Sequence, residues 1–271
     1  MANPMSPVRY SDYTLNAASS YDYPRYYEVA FNFNRKLECD FVEAAFKRYS
    51  RRRISKVVDL ACGTGQHLIR LAQRGYQMTG VDLSKEYLAH IEKRAGSLGL
   101  HVRLERSDIA DFRLPKLQDA AICMTDSQGH LLTIEALLAH FRCVAKVLRS
   151  GGLYIFDRML PEDWFNPTQQ YQWTRRQGKT KVTTTFRTLL DLDPVRQVCW
   201  EELIFNVEEN GTRKRTYQRY QTRVVFPQEL KALIELCGLF DFVAWHPNFT
   251  FRKQLENSKR PMMLVAILRR K

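Results

Sequence analysis

The sequence predicts an α/β protein whose parallel sheet has helices on both faces, with an antiparallel sheet inserted near its end. Two patterns carry this prediction. Between Lys56 and Arg158, short apolar runs alternate with segments whose apolar residues recur at helical spacing, and strands alternating with helices form parallel sheets. Between about residues 171 and 225, four strand-like runs follow one another through short turns. Strands connected in this way are antiparallel.

Composition excludes several classes of protein. The chain has 271 residues, of which 45% are hydrophobic and 26% charged, so collagen-like, coiled-coil and disordered chains are excluded. The longest strongly apolar run, Met262 to Leu268, is far shorter than the roughly 20 residues that span a bilayer. We see no secretory signal at the N-terminus, and the six cysteines form no Cys-x-x-Cys pair. We therefore expect a cytoplasmic protein with reduced thiols and no metal site.

The net charge of +13 leaves the partner open, because a basic surface suits a polyanion, an acidic small substrate or plain solvation. Many of the basic residues stand in the predicted inserted sheet: Arg175, Arg176, Lys179, Lys181, Arg213, Lys214, Arg215, Arg219 and Arg223. This set fits a solvated or dimer-forming sheet, an anionic acceptor or RNA.

The chain divides into four predicted parts. Residues 1–50 hold a tyrosine-rich segment (Tyr10, Tyr13, Tyr21, Tyr23, Tyr26 and Tyr27) and then a helix from about Phe31 to Tyr49. Residues 51–160 hold strands Val57–Leu60, Gln77–Val81, His101–Glu105, Ala120–Met124 and Leu153–Phe156. The helices between them pass through Leu68 to Leu71, Ser84 to Gly96 and Ile134 to Leu148, the last with a stop signal at Ser150-Gly151-Gly152.

The last two parts are the insertion and the end of the core. Residues 161–226 hold strands Tyr171–Trp173, Lys181–Leu190, Gln197–Asn206 and Lys214–Val225. In residues 227–271 a helix opens at Pro227 and ends at Gly238, followed by strands Phe242–Trp245 and Met262–Leu268. The α/β pattern resumes here, which indicates an insertion rather than a separate domain.

The most informative stretch runs from Val57 to Gly65, where a buried strand enters a glycine-rich turn that opens a helix. Glycines let a backbone approach a ligand closely, and a helix N-terminus offers free N–H groups. Leu68 stands where a dinucleotide fingerprint needs a small residue, and no G-x-x-x-x-G-K-[ST] run is present. These features exclude the dinucleotide and P-loop patterns.

In these residues the chain resembles the class I S-adenosylmethionine-dependent methyltransferases. Five segments carry the resemblance in the family's order: Asp59–Gly65, Gly80–Ser84, Ser107–Ile109, Asp119–Met124 and Leu148–Leu153. Ala61 stands where many members have glycine. The resemblance implies a Rossmann-like sheet whose last strand is antiparallel. It is closest to small-molecule enzymes with an inserted sheet, such as glycine and amino-sugar N-methyltransferases.

The resemblance also implies the cofactor-binding residues. Asp82 would accept from both ribose hydroxyls, Asp108 would accept from the adenine amino group, and Asp59 would brace the turn or bind the methionine ammonium. Leu83 and Ile109 would sandwich the adenine, and Tyr27 is the first candidate for a neighbour of the sulfonium. The predicted set is Tyr27, Asp59, Ala61, Gly63, Thr64, Gly65, His67, Asp82, Leu83, Asp108, Ile109 and Met124.

Residues after the fourth strand face the reacting centre, because ligands of such sheets lie beyond the carboxyl ends of the strands. His130 is either a general base or a wall of the cofactor pocket, and His130, Asp126 and Tyr27 are the catalytic candidates. Asp157 and Arg158 either touch the acceptor or form a buried ion pair. The family also places an N-terminal segment over the site, so the tyrosines are expected to form a lid.

The predicted function is methyl transfer from S-adenosylmethionine to nitrogen or oxygen of a small polar acceptor, with an anionic acceptor as one option. The insertion and lid would roof the site, and the insertion would also pair two subunits in a homodimer. Three alternatives stay open: an RNA or cap methyltransferase, an enzyme that cyclises or cleaves the same cofactor, and a non-catalytic binding module.

Overall fold

Two β-sheets and six α-helices organise the part of the protein that the structure describes. The structure is a computed structural model that describes residues 14–15, 19–33, 35–160, 168–252, 255 and 262–271. Its helices are α1 (Pro24–Ala30), α2 (Arg35–Tyr49), α3 (Gln66–Gln73), α4 (Lys85–Ser97), α5 (Ile134–Val147) and α6 (Pro227–Cys237), with short 3-10 helices at Ser20–Asp22 and Ser127–His130. Its strands are β1 (Thr14–Leu15), β2 (Lys56–Leu60), β3 (Gln77–Asp82), β4 (Arg103–Arg106), β5 (Gln118–Cys123), β6 (Leu148–Met159), β7 (Thr168–Gln177), β8 (Thr180–Asp193), β9 (Val198–Glu209), β10 (Thr212–Arg223), β11 (Phe240–Pro247) and β12 (Met263–Arg270).

The larger sheet has seven strands in the order β11-β12-β6-β5-β2-β3-β4. β12 is antiparallel to both β11 and β6, whereas β2 pairs in parallel with β3 and β5. Strand β2 is buried from its second residue to its end, as expected where helices cover both faces of a parallel sheet. The predicted α/β fold with an antiparallel last strand is confirmed.

Helices bury apolar side chains on each face of this sheet. One core cluster joins α5 and α6 to the sheet through Phe141, Leu230 and Phe156. The other joins α2, α3 and α4 through residues such as Leu68 and Ile91, which are both fully buried. Within the described part of the chain, every helix is too short or too polar to cross a membrane.

The smaller sheet has the order β1-β10-β9-β8-β7, and its last four strands form the predicted antiparallel sheet. Its inner face packs on α1 through Val29, Leu203 and Phe205. Trp173 on β7 donates its indole N–H to the carbonyl of Ala30 at 2.7 Å. The insertion is therefore fastened to the N-terminal segment, and β1 adds a parallel strand that the sequence did not predict.

Two local predictions are wrong. The helix predicted from Phe31 to Tyr49 is α2, which begins at Arg35, and a separate helix, α1, precedes it. Helix α5 passes directly into β6, so the glycines at 151 and 152 do not stop the helix. Instead they lie in a β-bulge, where the pairing of β5 with β6 shifts register. A Cβ on Gly152 would lie 2.8 Å from the carbonyl oxygen of Arg149, and this backbone crowding explains the glycine.

Candidate functional site

The turn between β2 and α3 presents its backbone at the carboxyl edge of the large sheet. Ala61, Gly63 and Gly65 all have left-handed φ values, of 51°, 53° and 73°. A Cβ on Gly65 would lie 2.7 Å from Cγ1 of Ile91, so that position needs glycine for space as well as for φ. Ala61 takes the left-handed conformation despite its Cβ, at a cost of roughly 1–2 kcal/mol.

Asp82 ties this turn to the next one along the sheet. Its Oδ2 accepts the backbone N–H of Gly63 at 2.8 Å, and its Oδ1 accepts that of Ser84 at 2.9 Å. Burial raises the pKa of Asp82, and the amide donors oppose the rise. The carboxylate therefore lies at the end of β3 beside the glycine turn, where the sequence predicted it.

Two connected chambers open beside these turns. The larger measures about 410 Å³ and the smaller about 50 Å³, and they share Tyr27, Ala61, Gly63 and Ser127. Of the predicted residues, the larger chamber is also lined by Asp82, Leu83, Asp108, Ile109 and His130. The smaller chamber is also lined by Asp59, Thr64, His67 and Met124. Gly65 and Asp126 line neither of these two chambers.

Part of the larger chamber is lined by two apolar side chains and a carboxylate. Leu83 is 61% exposed, whereas Ile109 is buried, and both line the chamber. Asp108 Oδ1 accepts the backbone N–H of Ala110 at 2.8 Å, which fixes its carboxylate. Leu83 and Ile109 therefore give this part of the chamber an apolar lining beside the Asp108 carboxylate.

The smaller chamber is lined by Asp59 and by Arg35, a residue that sequence reasoning missed. Asp59 is 2% exposed, and no described donor reaches its Oδ2. Burial and the charge of Asp82 raise the pKa of Asp59 to about 8, although Arg35 opposes the rise. An orphaned carboxylate oxygen beside a guanidinium is a fitting complement to a zwitterionic amino acid.

Arg35 is held by its neighbours on α2 and α3. It donates to Glu38 at 2.7 Å and to Oε1 of Gln66 at 3.1 Å. Glu38 also contacts the buried ring of His67, whose pKa is lowered by burial. His67 is thus a pocket wall bonded to α2. No local signal distinguished Arg35 from the other basic residues of the chain.

Tyrosines from three places cover the chambers. The ring of Tyr27 lies 5.5 Å from that of Tyr87, and the ring of Tyr21 lies 5.7 Å from Tyr27 and 5.8 Å from Tyr220. Burial raises the pKa of Tyr27 to about 12, so its hydroxyl stays protonated. The predicted lid residues Tyr23 and Tyr26 stack on each other to one side, at 5.3 Å. Tyr10 and Tyr13 lie outside the described residues.

Helix α1, which carries Tyr27, is tied to the core at Glu28. The Glu28 carboxylate pairs with His90 at 2.7 Å and with Arg94 at 2.6 Å, both on α4. Its backbone carbonyl accepts from the side chain of Gln66 at 3.1 Å. These contacts hold the tyrosines over the cleft.

The loop after β5 has a strained backbone. Thr125 and Asp126 have φ values of 64° and 55°, a conformation common at functional sites. Asp126 pairs with the buried Nε of Arg158 at 3.1 Å. Asp157 is 1% exposed, and burial together with the charge of Asp126 raises its pKa to about 8. Arg158 therefore forms its ion pair with Asp126, whereas Asp157 accepts the backbone N–H of Asp126 at 3.5 Å.

His130 stands at the end of this loop. Its ring lines the larger chamber and lies 5.2 Å from the ring of Tyr220. Burial and the charge of Arg158 lower the pKa of His130, which favours its neutral imidazole.

Glu201 on β9 is a second residue that the sequence did not single out. It faces Tyr220 across the β9–β10 pair. Burial and the charge of Asp126 raise its pKa to about 7, whereas hydrogen bonding to Tyr220 and Thr222 opposes the rise. A carboxylate at one strand position carries no local sign of function, which is why sequence reasoning missed it.

The basic residues of the insertion line neither chamber. Several pack elsewhere: Arg219 over the ring of Trp200 at 4.5 Å, Lys181 with Glu208 at 3.0 Å, and Arg223 with Glu229 at 3.0 Å. Among the described residues, no group of three or more His, Cys, Asp or Glu side chains is arranged to hold a metal ion.

The fold and the cleft define a protein that binds a nucleoside-linked cofactor beyond the carboxyl ends of a parallel sheet. A family model described as a methyltransferase domain matches residues 57–152. The dTDP-3-amino-3,4,6-trideoxy-alpha-D-glucopyranose N,N-dimethyltransferase of Streptomyces venezuelae is 30% identical over 191 residues, which are 68% of this chain and 75% of that enzyme.

Solved structures agree on the fold. An S-adenosylmethionine-dependent methyltransferase from Clostridium acetobutylicum matches with a TM-score of 0.75 and 19% identity, over 90% of this chain and 95% of that one. CalS10, an amino pentose methyltransferase from Micromonospora echinaspora solved with S-adenosylmethionine bound, matches with a TM-score of 0.72 and 19% identity, over 90% and 96%. The chain belongs to the class I S-adenosylmethionine-dependent methyltransferases. It is an enzyme whose cofactor is S-adenosylmethionine, so the predicted family, enzyme class and cofactor are confirmed.

Proposed function

We propose that this enzyme methylates the nitrogen of a small amine, and that its substrate class is a nucleotide-linked amino sugar. The observation that carries the proposal is the roof over the larger chamber, where Tyr21 and Tyr27 lie across the carboxyl edge of the sheet. The chamber measures about 410 Å³, so beside the nucleoside of the cofactor it would leave roofed space for a small acceptor rather than a polymer. The Streptomyces venezuelae relative is named for an amino-sugar substrate, which supports the nitrogen acceptor.

The methionine end of the cofactor fits the smaller chamber. The orphaned Oδ2 of buried Asp59 would accept from the ammonium group. Arg35, also buried, would pair with the carboxylate. Thr64, His67 and Met124 would complete the walls.

The nucleoside end fits the larger chamber. Asp82, fixed by two backbone N–H groups, would accept from the ribose hydroxyls. Leu83 and Ile109 would pack on the two faces of the adenine, with Asp108 at its amino edge. Ala61, Gly63 and Gly65 would give the backbone its close approach.

When bound, the cofactor supplies a methyl group activated by a positively charged sulfur. Tyr27 lines both chambers, so its ring would stand near that sulfur as a neutral aromatic neighbour. The tyrosines exclude water and align the acceptor. His130 would form a wall of the acceptor space, and Asp126 would hold Arg158 in place.

Product analysis tests the proposal. The enzyme is incubated with S-adenosylmethionine and either dTDP-3-amino-3,4,6-trideoxy-glucose or glycine, and the products are identified by mass spectrometry. We expect S-adenosylhomocysteine together with an N-methylated amine. Release of methylthioadenosine, or methylation confined to oxygen or RNA acceptors, would contradict the proposal.

The remaining sequence-based predictions are part of the same proposal. The four parts 1–50, 51–160, 161–226 and 227–271 would act as lid, cofactor core, roof and core completion. A homodimer would form through the inserted sheet. Light scattering tests this by comparing the mass of the wild type with that of a variant in which the exposed Arg176 and Arg219 are replaced. The enzyme would work in the cytoplasm, since all six cysteines are unpaired.

A further inference from the structure

The acceptor side of the cleft carries two neighbouring carboxylates, on Glu201 and Asp126. The inner face of β9 and β10 presents Glu201 and Thr222 toward the loop after β5. A Cβ on Gly129 in that loop would lie 3.6 Å from both Asp126 Oδ2 and the Cβ of Thr222. The strand face and the loop are therefore in contact, and the charge of Asp126 raises the pKa of Glu201.

The carboxylates of Glu201 and Asp126 share one cationic neighbour, Arg158. Arg158 acts on both carboxylates, but its Nε forms an ion pair with Asp126 Oδ1 at 3.1 Å. A second guanidinium nitrogen donates to the carbonyl oxygen of Arg223 at 2.7 Å. One guanidinium thus acts on both carboxylates, and the hydrogen-bond partners of Glu201, Tyr220 and Thr222, are both neutral groups.

One side chain, that of Tyr220, connects Glu201 to residues that line the larger chamber. Tyr220 contacts Glu201 on one side, and on the other it meets Tyr21 and His130, both of which line the chamber. The other titratable groups that act on or border Glu201 are Asp126, Arg158, Tyr21 and Cys199. Arg158 is the one cation among these neighbours.

We propose that Glu201 is the residue that recognises the acceptor's ammonium group and removes its proton. The inference rests on the proposed transfer to an amine. An aliphatic amine has a pKa of roughly 10 and is cationic at neutral pH, so its lone pair is blocked. The ammonium N–H bond breaks and its proton passes to the Glu201 carboxylate. The freed lone pair then bonds to the methyl carbon while the carbon–sulfur bond breaks, and its electrons stay on the sulfur.

Glu201 suits this task better than the other nearby groups. Its pKa of about 7 lets the carboxylate accept a proton and return it to solvent at neutral pH. Burial lowers the pKa of His130, which therefore holds a proton weakly. Asp126 is already paired with the charge of Arg158.

The first test is a pH profile of kcat/KM with dTDP-3-amino-3,4,6-trideoxy-glucose. The wild type should lose activity below about pH 7, where Glu201 becomes protonated. Glu201→Gln should lower kcat/KM at pH 8 by about 10²-fold and abolish that acid limb, while Glu201→Asp should restore the limb in part. The matched control is Glu202→Gln, because Glu202 is bonded to Tyr217 at 2.6 Å on the opposite face. All variants should bind S-adenosylhomocysteine with unchanged affinity, which shows that they fold.

The second test is proton release on binding the same amine sugar to the S-adenosylhomocysteine complex, measured by calorimetry in two buffers. An ammonium that pairs with Glu201 displaces about half a proton at pH 7 and about a tenth at pH 8. Glu201→Gln should release none. If the wild type methylates neither this sugar nor glycine, the proposed function fails and this inference with it. If the wild type methylates the amine but Glu201→Gln keeps the acid limb and the proton release, this inference alone is overturned.

Discussion

The cofactor side and the acceptor side of the cleft are built in different ways. The cofactor side comes from turns that directly follow strands of one parallel sheet, at Asp59–Gly65, Asp82–Ser84 and Ser107–Ile109. The acceptor side joins distant parts of the chain, and a typical contact there, Ser20 Oγ to the carbonyl of Leu203, spans 183 residues. The first side is therefore fixed by topology, whereas the second depends on how separate elements dock.

Burial raises the pKa of carboxyl groups on both sides, including that of Asp59 on the cofactor side to about 8, and the two sides differ in what surrounds these groups. On the cofactor side, backbone N–H groups hold Asp82 in place. On the acceptor side, burial raises the pKa values of Asp157 and Glu201 to about 8 and about 7. The comparison predicts that variants on the cofactor side change cofactor binding, while variants on the acceptor side spare it.

The largest expected effect is on Asp82. Asp82→Ala removes both the proposed ribose acceptor and the bond that fixes Gly63. We expect the affinity for S-adenosylhomocysteine, measured by calorimetry, to fall by about 10²-fold. The control is Asp241→Ala, an exposed position on β11. A loss of less than threefold would remove Asp82 from the cofactor site.

The next effect separates the two ends of the cofactor. Arg35→Met should lower the affinity for S-adenosylhomocysteine by about 30-fold, because a charge-assisted bond to the carboxylate of the ligand is lost. Binding of methylthioadenosine, which has no carboxylate, should change by less than twofold. Lys36→Met is the control, since Lys36 points to solvent and pairs with Asp40. Equal losses for both ligands would mean that Arg35 supports the fold rather than the cofactor.

A smaller effect is expected on the acceptor side at His130. His130→Gln should lower kcat/KM for the amine acceptor by about 10-fold, because the ring lines the chamber beside Tyr220. Affinity for S-adenosylhomocysteine and the acid limb of the pH profile should both persist. His101→Gln, at an exposed position before β4, is the control. Loss of the acid limb in His130→Gln would make His130, not Glu201, the proton acceptor.

The smallest effect concerns stability. The folded pKa of Asp157, about 8, lies above its unfolded value of about 4, so the folded state binds the extra proton between these values. Stability therefore falls as pH rises from about 4 to about 8. At pH 8, Asp157→Asn should raise the free energy of unfolding by roughly 1 kcal/mol relative to wild type, which corresponds to a Tm about 2–4 °C higher. At pH 5 the increase should be smaller. The same Tm difference at both pH values, or an equal rise in Asp241→Asn, would show that Asp157 is not buried in its neutral form.

Sequence reasoning was most accurate where function depends on local chain geometry. The five core strands, the glycine turn and Asp82 follow from apolar runs, glycine spacing and an acid at a strand end. It failed at Gly151 and Gly152 because a helix stop and a β-bulge use the same residues. It also missed β1, whose pairing with β10 depends on docking rather than on pattern.

The sequence by itself determined the fold class, the family, the cofactor and the strand-end carboxylates. Each follows from strand–turn–helix patterns that are local in the chain and from their order along it. The tertiary structure alone decided that Arg35 and Asp59 line the same chamber, that Tyr87 joins the tyrosine cover and that Glu201 faces the acceptor side. These outcomes depend on strand register and helix docking. A shift of one residue in β9 would turn Glu201 to the outer face and Glu202 inward, and such a choice is made by the packing of whole elements rather than by any single segment.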